Sequence, residues 1–194
     1  MSKVRRYGKR ASPVVGLFIT VAVIAGQHYG LFDSARQAAQ TNQPGLYHVV
    51  EFVDGDTIAV DMNGNKEMLR FIGVDTPETH DPRKAVQCYG KIAAAFTKHL
   101  IGNNSVRLEA DPLNTNRDRY NRLLRYIYLP DGTLVNAEII KQGYGFAYLG
   151  FPFTKADEFH HYELEAEHAN RGLWGSCKPV KNQYGGYTSP DAAN

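Results

Sequence analysis
Within the stretch from Asp54 to Glu78 lie five side chains that could do chemistry together: Asp54, Asp56, Arg70, Asp75 and Glu78. They sit in two segments, VDGDT (53–57) and LRFIGVDTPET (69–79), separated by Asn63-Gly64. Asn-Gly between apolar alternating runs is the strongest short signal for a two-residue hairpin. With that turn, Met62 faces Asn65 and paired residue numbers sum to 127. Asp56 then falls opposite Phe71, with Arg70 one step away. The return strand runs on into Asp75 and Glu78, so three carboxylates and an arginine meet at one rim. In an unbroken ladder Arg70 and Phe71 point to opposite faces. A bulge, or the backbone freedom of Gly55, must therefore re-aim Asp56 or Arg70. Crowded carboxylates repel unless a cation offsets them, and hard oxygen ligands suit calcium or magnesium. No Cys or His falls in the cluster with zinc-like spacing, and the positions of an EF-hand loop are not filled. Singly, each acid is an ordinary turn residue; only the constellation with Arg70 reads as a site.

A second cluster, RDRYNRLLR (117–125), holds four arginines, one aspartate and Tyr120. The planar guanidinium fork matches phosphate oxygens, and a tyrosine ring can stack on a base. The bland alternative is a charged loop running into an exposed strand end. The histidines are scattered and read as surface or packing residues, with His80 nearest the acids. There is no Gly-rich phosphate loop and no G-x-S-x-G elbow.

These residues need a frame, and the hydrophobic pattern supplies one. Strands are predicted over Tyr47–Val53, Thr57–Met62, Lys66–Val74, Ser105–Ala110 and Leu123–Leu129. Asp75–Val86 carries two prolines and reads as a loop. Helices are predicted over Tyr89–Ile101, Leu134–Gln142 and Lys155–Asn170, each followed by a glycine stop. On the first, Ile92, Ala95, Phe96, His99 and Leu100 fall near helical spacing. Tyr144–Leu149 is aromatic and extended. Three strands, a helix, two strands and further helices make an α+β class: a five-stranded antiparallel OB-fold barrel with three helices.

Residues 1–10 carry +5 of a whole-chain +2, leaving −3 on everything after residue 10. The body is not basic, so nucleic-acid binding requires a local patch. The basic start leads into Val14–Gly26, apolar apart from Thr20. This is the layout of a cleaved signal peptide or, counted through residue 32, of a retained membrane anchor. Both place the remaining chain outside the cytosol. There, Cys88 and Cys177 read as a disulfide, whose alternative is two unrelated buried thiols. The organisation is thus a signal or anchor at 1–26, a linker at 27–46, a domain at 47–178 and a disordered tail at 179–194.

VDGDT (53–57), LRFIGVDTPET (69–79), CYGKIAAAFTKHL (88–100), DRYNRLLRYIYLPDGTLVNAEIIKQGYGFAY (118–148) and RGLWGSC (171–177) resemble, in order and spacing, the staphylococcal nuclease family. The resemblance covers about 47–177 and implies an OB barrel with three helices. It implies a calcium-dependent phosphodiesterase that cuts DNA and RNA and leaves 3′-phosphate ends. By motif position, Asp56, Asp75 and the Thr76 carbonyl resemble the calcium ligands, with Asp54 close behind. Glu78 resembles the general base, Arg70 and Arg122 the phosphate clamps, and Arg119, Tyr120 and Tyr148 the nucleotide-gripping residues. Asn121 stands where the family has glycine, and Asn tolerates a left-handed turn. The segment before Tyr148 is shorter than the family pattern. Cys88 and Cys177 resemble a pair in exported relatives. No protein partner is implied and a monomer is expected. The rival reading is an OB barrel that holds nucleic acid without cutting it.

Overall fold
The computed structural model describes residues 43–79, 85–183 and 186–192. The basic start, the apolar run at 14–26, most of the linker and His80 lie outside the described residues. Among the described residues no helix is long and apolar enough to cross a membrane.

The central hairpin forms as its turn chemistry dictates. Strand β2 (Thr57–Met62) pairs with β3 (Asn65–Phe71), from Met62 opposite Asn65 to Thr57 opposite Arg70. A primed turn needs positive φ at both central residues, and Asn63 (57°) and Gly64 (83°) supply it. Asp61 accepts the Gly64 N–H at 2.7 Å. The inward faces of β2 and β3 contribute Ile58, Val60, Leu69 and Phe71, each at most 1% exposed. Fully burying such a side chain contributes about 2 kcal/mol.

Strand β1 (Gln43–Phe52) starts within the expected linker, so Gln43–Leu46 belong to the barrel. It pairs with β2 on one edge and with β5 (Ser105–Glu109) on the other. A register slip between Val49 and Glu51 lets one long strand curve between both neighbours. Strand β6 (Leu123–Tyr128) closes the ring in the order β1-β2-β3-β6-β5. The expected all-antiparallel pairing is corrected at one seam, where β3 and β6 run parallel. Directions cannot alternate around a closed ring of five, so one pair must be parallel. The intervening α1 (Gly90–Ile101) and β5 give the chain room to return in that direction.

Helix α1 buries Ala93, Thr97 and Ile101, while Ile92 is 50% exposed. The buried stripe is thus rotated one position from the predicted one. The Thr97 hydroxyl donates to the Gly55 carbonyl at 2.6 Å, holding the helix against the DGD turn. Helix α2 (Val135–Lys141) buries Val135, Ile139 and Ile140. Its fully buried Asn136 accepts from Ile127 N–H at 2.9 Å and donates to the Ile72 carbonyl at 2.9 Å. That amide satisfies backbone groups where β3 ends, just before the site loop. A short pairing of β4 (Val74–Asp75) with β7 (Phe146–Ala147) places Asp75 opposite Phe146. Helices α3 (Ala156–His168) and α4 (Leu173–Ser176) complete the body.

The expected disordered tail is corrected. β8 (Val180–Lys181) and β9 (Tyr187–Thr188) form a small hairpin. Tyr187 packs edge-on against Trp174 at 4.7 Å and stacks near Phe146 at 6.0 Å. These apolar contacts offset the ordering entropy that a Pro- and Gly-rich segment otherwise wins. Cys88 and Cys177 are bridged, with a Cα–Cα distance of 5.8 Å.

Candidate active site
Asp56 is the hub of the site. It sits in the bend before β2, and its carbonyl still accepts the Phe71 N–H at 2.9 Å, extending the hairpin ladder. Its Oδ2 pairs with Arg70 Nη1 at 2.8 Å and accepts the Thr76 N–H at 2.8 Å. The β2–β3 register is unbroken. The bend, not a bulge in that ladder, brings Asp56 onto the face of Arg70. Gly55 makes the bend feasible, because a Cβ there would stand 2.7 Å from Thr76 Cγ2.

Arg70 spans two acids. Its Nη2 donates to Asp75 Oδ1 at 3.0 Å, and Nη1 also donates to the Val74 carbonyl at 2.7 Å. Burial alone would favour a neutral guanidine, but Asp56, Asp75, Asp54 and Asp118 outweigh it and hold Arg70 charged. Arg122 approaches from the other side. Asp118 Oδ2 holds its Nε and Nη2, each at 2.7 Å. Its Nη1 lies 3.5 Å from the Thr57 hydroxyl, which donates to Asp56 Oδ1 at 3.0 Å. Both arginines therefore converge on one carboxylate. Asn121 has φ 65°, as its place in the turn requires.

Of the four clustered arginines, the structure separates two from the site. Arg117 pairs with Glu67 at 2.9 Å. Arg125 is fully buried and donates to Asn116 Oδ1 at 2.7 Å and to the Leu124 carbonyl at 2.6 Å. Arg119 and Tyr120 remain exposed beside Arg122, with the Arg119 guanidinium 4.7 Å from the Tyr120 ring centroid and Arg122 at 5.4 Å. Tyr148 is 43% exposed and lines a groove of about 450 Å³ with Asp75, His160, Glu163, Lys181 and Tyr187. Its amide donates to the Gly73 carbonyl at 2.9 Å, fixing its backbone next to the acid loop.

Burial raises the Asp54 carboxyl above its usual range, and the charge of Asp56 raises it further. Burial likewise raises Asp75; Arg70 opposes this, while Asp56 and Glu78 add to it. Among the described residues no three Asp, Glu, His or Cys side chains converge into a cage by themselves. The reason is visible: Arg70 lies between Asp56 and Asp75. The donors on hand are all oxygens, from Asp54, Asp56, Asp75 and the Thr76 main chain. That set suits a hard cation that takes its other ligands from water and phosphate.

Sequence reasoning missed Thr57, Asp118, Gln87 and Asn136. Asp118 stands four residues before Arg122, a spacing that could have flagged the pair; the other three carry no local signal. The described histidines are all exposed.

Comparisons with known proteins place the chain among relatives. A family model described as "Staphylococcal nuclease homologue" matches residues 68–176. Thermonuclease from Staphylococcus hyicus is 37% identical over 164 residues, covering 84% of this chain and 94% of the relative. Endonuclease YncB from Bacillus subtilis (strain 168) is 37% identical over 172 residues, covering 84% of this chain and 81% of the relative. Thermonuclease from Staphylococcus intermedius is 38% identical over 135 residues, covering 70% and 79%. With its barrel, the matching family model and these relatives in agreement, the chain belongs to the staphylococcal nuclease family.

Proposed function
We propose that this chain is a calcium-dependent phosphodiesterase that hydrolyses DNA and RNA and leaves 3′-phosphate ends. The observation that carries the reading is the convergence of Arg70 and Arg122 on Asp56, one directly and one through Thr57. Two guanidinium groups bordering crowded acids supply the charge that would receive a phosphate with a cation beside it. Asp56, Asp75 and the Thr76 carbonyl would hold that cation, with Asp54 close behind. When bound, it supplies positive charge against the phosphate oxygens.

The chain's own residues account for the rest. A guanidinium has five N–H donors, and three contacts engage Arg70 among the described residues. The others are free to grip phosphate oxygens as negative charge builds in the transition state. Arg122 does the same from the opposite side, held in orientation by Asp118. Glu78 takes a proton from water, the resulting hydroxide oxygen bonds phosphorus, and the bond to the 5′ oxygen breaks. The leaving oxygen takes a proton from solvent. Arg119 and Tyr120 hold the neighbouring nucleotide, and Tyr148 faces the strand from the groove beyond Asp75.

We also place the enzyme outside the cytosol as a monomer, by signal cleavage or through an anchor at residues 14–32. The Cys88–Cys177 bridge supports export, because disulfides persist in oxidising compartments.

The test uses the full chain on single-stranded DNA, duplex DNA and RNA, with calcium and with a calcium chelator. All three substrates should be degraded with calcium and none with chelator, and the ends should accept polymerase extension only after phosphatase treatment. Cleavage that persists in chelator would refute the calcium assignment. Binding without cleavage under every condition would favour the non-catalytic barrel.

A further inference from the structure
The C-terminal segment lies beyond the residues that match the family model. Residues 189–192 nonetheless run against residues 86–88, next to the segment that carries Glu78. Cys88 N–H donates to the Pro190 carbonyl at 2.7 Å, and Ala192 N–H to the Val86 carbonyl at 2.8 Å. The Ser189 hydroxyl, on a residue 2% exposed, donates to the Cys88 carbonyl at 2.8 Å. Gln87 and Asp191 form an antiparallel bridge. The disulfide to Cys177 holds the same strip from another direction.

Gln87, thus gripped, grips Glu78 in turn. Its N–H donates to the Glu78 carbonyl at 3.0 Å, and its side-chain Oε1 accepts the Glu78 N–H at 2.7 Å. Both main-chain polar groups of Glu78 are therefore tied to one residue. Helix α1 closes in from behind: a Cβ at Gly90 would stand 2.7 Å from Thr79 Cγ2 and 3.0 Å from the Glu78 carbonyl.

We propose that residues 189–192 are a strap that positions Glu78 through Gln87, so that the C-terminal segment belongs to the catalytic apparatus. Gln87 and Ser189 are positioning residues, because nothing places them against the reacting atoms. The proposal rests on the reading of Glu78 as general base. A base acts only within hydrogen-bond reach, and a misplacement of about 1 Å costs ~100-fold.

The experiment measures kcat and KM on single-stranded DNA with calcium, together with Tm, on the full chain and five variants. These are Gln87→Leu, Gln87→Glu, a deletion of residues 189–194, and Glu78→Gln alone or combined with Gln87→Leu. The deletion leaves Tyr187 packed on Trp174 and Phe146. Gln87→Leu and the deletion should lower kcat ~10–100-fold with KM within about twofold. Gln87→Glu, which keeps an acceptor oxygen for the Glu78 amide, should stay within about threefold of wild type. In the Glu78→Gln background, Gln87→Leu should cost less than about twofold, because the group it positions is gone.

Three results separate the possibilities. Wild-type kcat in Gln87→Leu and in the deletion, beside a crippled Glu78→Gln, overturns the strap and leaves the base reading intact. Full additivity of Gln87→Leu with Glu78→Gln shows an action unrelated to Glu78 and also overturns it. Wild-type kcat in Glu78→Gln removes the base reading and the strap with it. Should the deletion fail to fold, Gln87→Leu, with its tail intact, carries the test.

Discussion
Removing the Arg122 guanidinium should slow catalysis severely while leaving the fold nearly untouched. The structure sets both magnitudes. Arg122 reaches Asp56 only through Thr57, with Nη1 3.5 Å from that hydroxyl, so its donors are aimed at the site rather than spent on the core. Taking one such donor from a charge that builds in the transition state lowers kcat ~10²–10³-fold, or about 2.7–4 kcal/mol. Stability should change far less. The Arg122–Asp118 pair has side chains 26% and 17% exposed. Partly solvated pairs contribute ~0–1 kcal/mol, which is a few degrees in Tm at this size. Asp118, once unpaired, adds a desolvation penalty, so Arg122→Ala should be compared with Arg122→Ala/Asp118→Ala, which removes it. Arg122→Lys restores charge without the fork and should recover only part of the rate. The assay is single-turnover cleavage of a short labelled DNA, with circular dichroism and thermal melts alongside. If Arg122→Ala kept kcat within threefold of wild type with an unchanged melt, or lost only KM, a transition-state role for this arginine would be refuted.

Three further outcomes follow from the same structure. Replacing Cys88 and Cys177 with alanine opens a loop of 89 residues and should lower unfolding free energy by about 4.6 kcal/mol, read in urea; an unchanged midpoint would contradict this. Glu163 on α3 is 5% exposed, and burial pushes its carboxyl up to about 7, against the Ala147 N–H it accepts at 2.9 Å. Its folded pKa lies above its unfolded one, so its stabilising contribution is full below about 4.5 and is lost as pH rises through about 7. Glu163→Gln should match wild-type stability near pH 5 yet exceed it by up to ~3 kcal/mol above pH 8 in urea melts; equal differences at both pH values would contradict the shift. Calcium at ~100 times its Kd should raise stability by about 2.7 kcal/mol without substrate, and Asp56→Asn/Asp75→Asn should abolish the gain, read as a calcium-dependent Tm.

Local rules reached far into this protein. Asn63-Gly64 specified a turn with two positive φ values, and the turn alone set the pairing from Met62–Asn65 to Thr57–Arg70. The period-2 pattern identified the five barrel strands, and glycine stops delimited the three long helices to within a residue or two. The residue types around Asp54, Asp75 and Arg70 singled out a candidate site, and the structure brings Arg70 against Asp56 and Asp75. Local patterns failed where several segments had to be known at once. The tail looked disordered because its composition is polar, yet Tyr187 finds Trp174 and Phe146 from distant segments. The arginine run looked like one patch, yet Arg125 turns inward and Arg117 is taken by Glu67.

What the sequence determined by itself was therefore the five barrel strands, the three long helices and the hairpin register, all governed by short-range sterics and hydrophobic period. The tertiary structure alone decided the rest. The parity of a five-membered ring forced β3 against β6, and the bend at Asp56 turned its carboxylate onto Arg70's face. Residues more than a hundred positions on clasped the strip that holds Glu78. Such contacts depend on where chain closure places remote segments, and no local pattern of residues encodes that.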